Sequence, residues 1–141
     1  MTRHSRWLIA LVAVAAFTVP AKAQNGGEGA SQDIISRQLE AFLSGDFPRA
    51  YSYAPPDIKR FFPTLERFMS MVQTGYLPVL RPGNYAFGKS EQMADGRIQW
   101  EVLIDGPDGK GYTATYFMER QEDGTWKVDA GTLRRGAPGM T

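Results

Sequence analysis

The chain of 141 residues has no cysteine, and its single histidine is His4. Without cysteine, neither disulfides nor thiolate chemistry can operate. His4 falls in a leader-like segment, so the rest of the chain carries neither a Ser-His-Asp nor a Cys-His arrangement. A zinc site of the usual nitrogen and sulfur ligands is excluded on the same ground. An excess of one charge is also missing: 16 Lys and Arg stand against 15 Asp and Glu. No basic run, glycine-rich phosphate loop or internal repeat is present, which gives no support to a nucleic-acid partner. Carboxylate, Tyr, Lys, Arg and Met chemistry remains, and no cofactor is indicated.

Met1 to Ala23 reads as a secretory signal peptide. Arg3 and Arg6 form its positive start, Trp7 to Val19 its apolar stretch, and Ala21-Lys22-Ala23 a small-residue cleavage site before Gln24. The apolar stretch is shorter than the ~20 residues that span a bilayer. The reading is export by the general secretory route to the periplasm or beyond, with no membrane association after cleavage. Removing Arg3, Arg6 and Lys22 leaves 13 basic against 15 acidic side chains. Gln24 to Ala30 is glycine-rich and reads as a flexible linker, residues 31–135 as one domain, and residues 136–141 as a tail.

The first half of the domain predicts helices. Ser31 is a candidate N-cap with Asp33 in the first turn. Ile35, Leu39, Phe42 and Leu43 form an apolar stripe that ends at Gly45. Asp46 can cap a second, short helix with Pro48 in its first turn. Ile58 to Phe62 reads as a short helical segment. Pro63 or Thr64 opens a third main helix with Leu65, Phe68, Met69 and Val72 on one side and Gly75 as its stop. Tyr76 to Gly83, with Pro78 and Pro82, reads as an extended connection.

The second half predicts an antiparallel meander. Ile98, Trp100, Val102 and Ile104 alternate with Gln99, Glu101 and Asp105. Tyr112, Ala114, Tyr116 and Met118 alternate with Thr113, Thr115, Phe117 and Glu119. Trp126, Val128 and Ala130 share a face across a strand from Thr125 to Ala130, and a weaker strand runs from Asn84 to Gln92. This is the period of two expected of half-buried strands. Asp95-Gly96, Asp108-Gly109 and Asp123-Gly124 separate the runs, and Asp-Gly is a strong hairpin signal. Helices first and a meander second make an α+β fold: three N-terminal helices packed on a four-stranded antiparallel sheet.

Gln38-Leu39-Glu40-Ala41-Phe42, Phe68-Met69-Ser70-Met71-Val72 and the closing Asp123-Gly124-Thr125-Trp126-Lys127-Val128 strand with Asp129-Ala130-Gly131 resemble a bacterial family known only as a domain of unknown function. With the helices-then-sheet order they are similar to the nuclear transport factor 2-like superfamily. The resemblance covers roughly residues 31–135. It implies a cone with a pocket between the helices and the concave sheet face, and a homodimer through the convex face. Members that are enzymes use an Asp–His pair or a Tyr–Asp pocket. This chain lacks the histidine, so no catalytic residue is carried over.

The candidate pocket residues are Tyr51, Tyr53, Met69, Tyr85, Trp100, Tyr112, Tyr116 and Met118. Aromatic walls with a few polar ends are how small-molecule sites are built; the bland alternative is that these are core residues with their hydroxyls at the surface. The expected ligand is a small apolar or amphipathic molecule. Leu103 and Phe117, expected to be neighbours on the polar sheet face, are the dimer-face candidates of an alternative interaction module. A carboxylate-dependent lyase or isomerase would need Asp46, Glu66 or Asp129 in the pocket. Asp46 reads as a cap, Glu66 as solvent-facing, and Asp129 as pointing away from the concave face. Met69, Met71 and Met118 could suggest a thioether metal site, but read as core fillers, so no metal is assigned.

Overall fold

The computed structural model describes residues 26–136. The signal peptide and nearly all of the tail lie outside the described residues. Among the described residues five helices precede four strands: α1 (Gly26–Leu43), α2 (Phe47–Ser52), α3 (Pro56–Phe61), α4 (Leu65–Gly75), α5 (Leu77–Leu80), β1 (Tyr85–Gln92), β2 (Ile98–Asp105), β3 (Gly111–Arg120) and β4 (Trp126–Arg135). The strands form one antiparallel sheet in the order β1-β2-β3-β4. No described helix is long and apolar enough to cross a membrane.

The helix ends follow from local chemistry. At the end of α1, Gly45 takes φ +72°. Its N–H bonds to Phe42 O and that of Asp46 to Ala41 O, closing the helix in a Schellman arrangement. The Asp46 carboxylate then accepts from Arg49 N and caps α2. Thr64 caps α4 in the same way through Arg67 N. Residues 77–80, expected to be extended, instead form one helical turn, because Pro78 sits in its first turn where no N–H is required.

The start of α1 corrects the linker expectation. Residues 26–30 are already helical, so the helix does not start at Ser31. Glycine disfavours helix by about 1 kcal/mol per residue, but Gly27 is placed by packing. A Cβ there would stand 2.7 Å from Ile98 Cδ1 and 2.8 Å from Trp126 Cζ2, so only a glycine lets the helix approach the sheet this closely. Ser31 is no cap. It is fully buried, donates to Glu28 O at 3.0 Å and accepts from Trp100 Nε1 at 2.9 Å. That bond joins α1 to the middle of β2. Ile35, Leu39 and Phe42 continue the buried face, whereas Leu43, expected in the stripe, is 54% exposed.

Each hairpin closes on a glycine in the left-handed region: Gly96, Gly109 and Gly124, with φ between +77° and +88°. No other residue type has a positive φ among the described residues. Each loop is therefore a β-turn followed by one left-handed glycine. The preceding aspartates accept the N–H of Arg97, Lys110 and Thr125. All three carboxyls are held below their ordinary range: Asp95 chiefly by the Arg97 N–H, Asp108 chiefly by the Tyr112 hydroxyl and then the Lys110 N–H, and Asp123 chiefly by the Thr125 hydroxyl and then its N–H.

Two bulges curve the sheet. In β1, Phe87 pairs with Val102 but Ser90 with Trp100. In β4, Val128 pairs with Met118 but Ala130 with Phe117, so Asp129 is the extra residue. The second bulge corrects the strand reading. Ala130 takes the register position opposite Phe117, and the strand runs on to Arg135 with Gly131 and Leu133 opposite Tyr116 and Ala114. A slip of one residue changes the face of everything beyond it. The edge of β4 is covered at its start, where Val128 N donates to Tyr53 O and Lys127 Nζ to Ser52 O.

Candidate functional site

Among the described residues a cavity of about 270 Å³, open to solvent on one side, lies between the helices and the β3–β4 half of the sheet. Its helical wall is Gln38 and Phe42 from α1, Ile58 from α3, and Phe68, Met71 and Val72 from α4, with Phe62 and Tyr76 at the helix ends. Its sheet wall includes Ala114, Tyr116, Val128 and Gly131. Ala114 and Gly131 add little bulk to the sheet wall, beside the larger Tyr116 and Val128.

Polar groups on this wall are few. Gln38 is buried and donates from Nε2 to Ala50 O at 3.2 Å. The Tyr76 hydroxyl donates to Gly131 O at 2.7 Å and so ties the end of α4 to β4. Tyr116 is 3% exposed, and its hydroxyl is the one buried side-chain polar atom without a hydrogen-bond partner among the described residues. Burial pushes that hydroxyl well above the usual phenol range, and Tyr85 adds to the shift. It stays protonated at all ordinary pH values, able to donate one hydrogen bond and accept another.

Of the eight candidate pocket residues, only Tyr116 lines this cavity. Trp100, Met69 and Met118 are core, packed beneath α1 and α4. Tyr51 stacks on Phe68 at 5.0 Å and donates to Phe62 O at 2.5 Å, so it braces the helical wall from behind. The Tyr53 hydroxyl accepts from Arg49 Nε at 3.1 Å. Tyr85 packs edge-on against Phe87, whose ring meets Trp100 in turn. The Tyr112 hydroxyl donates to Asp108 at 2.6 Å on the β2–β3 hairpin. The cavity is aromatic as expected, but apart from Tyr116 its aromatics are Phe42, Phe62, Phe68 and Tyr76 from the helical half.

Gln38 and Tyr76 are among the lining residues that escaped the sequence reading. Gln38 had a signal: it lies three residues after Ile35 and four before Phe42, a polar residue on the apolar stripe of α1. Tyr76 had none, because its partner Gly131 is 55 residues away in sequence.

The carboxylates are engaged elsewhere. Asp46 caps α2 and Glu66 is exposed. Asp129 borders the cavity, but its carboxylate accepts from Arg97 Nη1 at 3.2 Å. Arg97 also pairs with Asp95 at 2.8 Å and lies over the Phe117 ring at 5.4 Å. Phe117 is therefore covered by a guanidinium. Leu103 and Phe117 are not neighbours, because the Glu101–Thr115 pair separates them on the register. No group of three or more His, Cys, Asp or Glu side chains that could hold a metal ion occurs among the described residues. Met69 and Met118 are buried in the core, while Met71 faces the cavity.

A solved structure from Catenulispora acidiphila shares this fold, with a TM-score of 0.51 at 13% identity over 80% of this chain and 94% of that one. No curated protein matches the chain. A family model, Domain of unknown function (DUF4864), matches residues 27–139, spanning every helix and strand described above. The chain belongs to that family of unknown function.

Proposed function

We propose that this protein is an exported binding protein of the nuclear transport factor 2-like type, and that its cavity holds a small, largely apolar molecule. The observation that carries this reading is the mainly apolar space of about 270 Å³ left between the helices and the sheet, walled by Phe42, Phe62, Phe68 and the Tyr116 ring. The leader-like start of the chain supports export. The engaged carboxylates favour binding over catalysis by a lyase or isomerase.

The volume sets the ligand size. An apolar cavity of about 150 Å³ admits benzene, so 270 Å³ suits a molecule of about ten non-hydrogen atoms. Octan-1-ol is such a probe. It should raise the melting temperature of the protein in a concentration-dependent way, since a ligand of the native state stabilises it by mass action. Ala114→Leu, which fills the cavity from the sheet side, should abolish the shift. An equal shift in Ala114→Leu, or none in the wild type, would overturn the reading.

A further inference from the structure

Gln38 interrupts the buried face of α1. It stands between Ile35 and Phe42 and is 5% exposed. A methionine or leucine would fill this position with no polar atoms to satisfy. The Nε2 of Gln38 donates to Ala50 O, which fixes the amide's orientation, because an oxygen there would face another oxygen. The Oε1 accepts no hydrogen bond among the described residues, and the second Nε2–H has no acceptor there. This Oε1 differs from the Tyr116 hydroxyl, the one buried atom without a partner, in that protein atoms do not seal it off. Gln38 lines the cavity, so the open side of the amide faces that space. The other polar side chains nearby are engaged or turned away. Tyr76 donates to Gly131 O, and Asp129 accepts from Arg97. Thr115 and Thr132 pair on the register one residue from Ala114 and Leu133, which turns their side chains to the opposite face of the sheet.

We infer that Gln38 is the residue that selects the cavity's ligand, and that the ligand is a neutral amphiphile whose head group both donates and accepts a hydrogen bond, a hydroxyl in the simplest case. This rests on the binding reading above and names the chemical class of the ligand. The amide offers an acceptor in Oε1 and a donor in the second Nε2–H, side by side on an otherwise apolar wall. A hydroxyl can donate to the first or accept from the second. A carboxylate would set oxygen against Oε1, and an ammonium would set N–H against N–H. A hydrocarbon would leave the amide unmet. The tail of the ligand lies against Phe42, Phe68 and Val72.

The test uses two isomers of equal size, octan-1-ol and 1-methoxyheptane. The ether can accept from Nε2 but cannot donate to Oε1. Binding is measured by calorimetry with the wild type and Gln38→Met. Methionine keeps the length and helix propensity of the side chain, and Ala50 O keeps the N–H of Tyr53 as a donor. The wild type should bind the alcohol about fivefold more tightly than the ether, the worth of one neutral hydrogen bond. In Gln38→Met the preference should vanish or reverse. A purely structural Gln38 would weaken both probes alike and leave their ratio unchanged. In the wild type itself, the Gln38 side-chain amide signal followed by NMR should shift with octan-1-ol. Equal affinity of the wild type for the two probes, a preference that survives Gln38→Met, or an amide signal unmoved at saturating octan-1-ol overturns the assignment of Gln38 and leaves the cavity reading standing. Failure of both probes to bind the wild type overturns both.

Discussion

Two glycines in α1 offer a paired test of how the helix meets the sheet. Gly27 and Gly29 are two residues apart in the same turn, and each can be changed to alanine. In an isolated helix both changes would be favourable, by roughly 0.5–1 kcal/mol each, because glycine pays more backbone entropy. The surroundings differ. A Cβ on Gly29 meets nothing within 4 Å. A Cβ on Gly27 would meet Ile98 Cδ1 at 2.7 Å and Trp126 Cζ2 at 2.8 Å, both below any tolerable contact. Ile98 and Trp126 are buried core residues, so relief requires repacking or a shift of the helix. Overpacking of this kind costs about 1–3 kcal/mol, which exceeds the propensity gain. Gly29→Ala should therefore raise stability by roughly 0.5–1 kcal/mol, and Gly27→Ala should lower it by about 1–2 kcal/mol net. For a domain of this size a kcal/mol corresponds to about 4 °C in melting temperature. Urea and thermal unfolding followed by circular dichroism measure both. If Gly27→Ala is as stable as Gly29→Ala, α1 does not press on the sheet at its first turn.

Ser31→Ala should cost about 1–3 kcal/mol in urea unfolding, because it leaves the buried Trp100 Nε1 without an acceptor; a cost below 0.5 kcal/mol, on the same scale, would show that another group takes over. Tyr116→Phe should raise the stability of the ligand-free protein by roughly 1 kcal/mol, because it removes a buried hydroxyl that has no partner, and thermal melts without added ligand check this. Glu119 titrates above its ordinary value, chiefly through burial and then through the charge of Asp129. A raised carboxylate pKa means that the native state holds its proton more tightly than the unfolded chain. That contribution is fully present below the ordinary glutamate range and is lost as pH rises through the raised value. Glu119→Gln should thus be more stable than the wild type near neutrality, with the difference closing as pH falls toward 4; unfolding at several pH values that shows a constant difference would contradict this.

The hairpins were legible because their signals are local. Asp-Gly steps and a period of two specify each turn and each face within a few residues, and the helix caps at Asp46 and Thr64 are equally short-range. What could not be read depends on partners far along the chain. The helical state of Gly26 to Ala30 comes from contact with Ile98 and Trp126, against local propensity. The bulge at Asp129 appears only when β4 is laid against β3, and it sets Ala130 opposite Phe117. The site was misplaced for a related reason. Aromatic residues on the concave face suggested a lined pocket, but Trp100 is drawn into the core by its bond to Ser31. The space lies beside Ala114 and Gly131 and is walled by Phe42, Phe62, Phe68 and Tyr76 from the helical half, and the meeting of residues so far apart leaves no local signal in a sequence. Tyr116 was identified from the aromatic face alone.

The measurement that bears most directly on a ligand-binding cavity is native mass spectrometry of the protein isolated under gentle conditions from its own cell. The account predicts a chain beginning at Gln24 that carries a non-covalent adduct of one small molecule, lost on collisional activation and absent from Ala114→Leu. A bare chain, obtained where added octan-1-ol is also not retained, would contradict it.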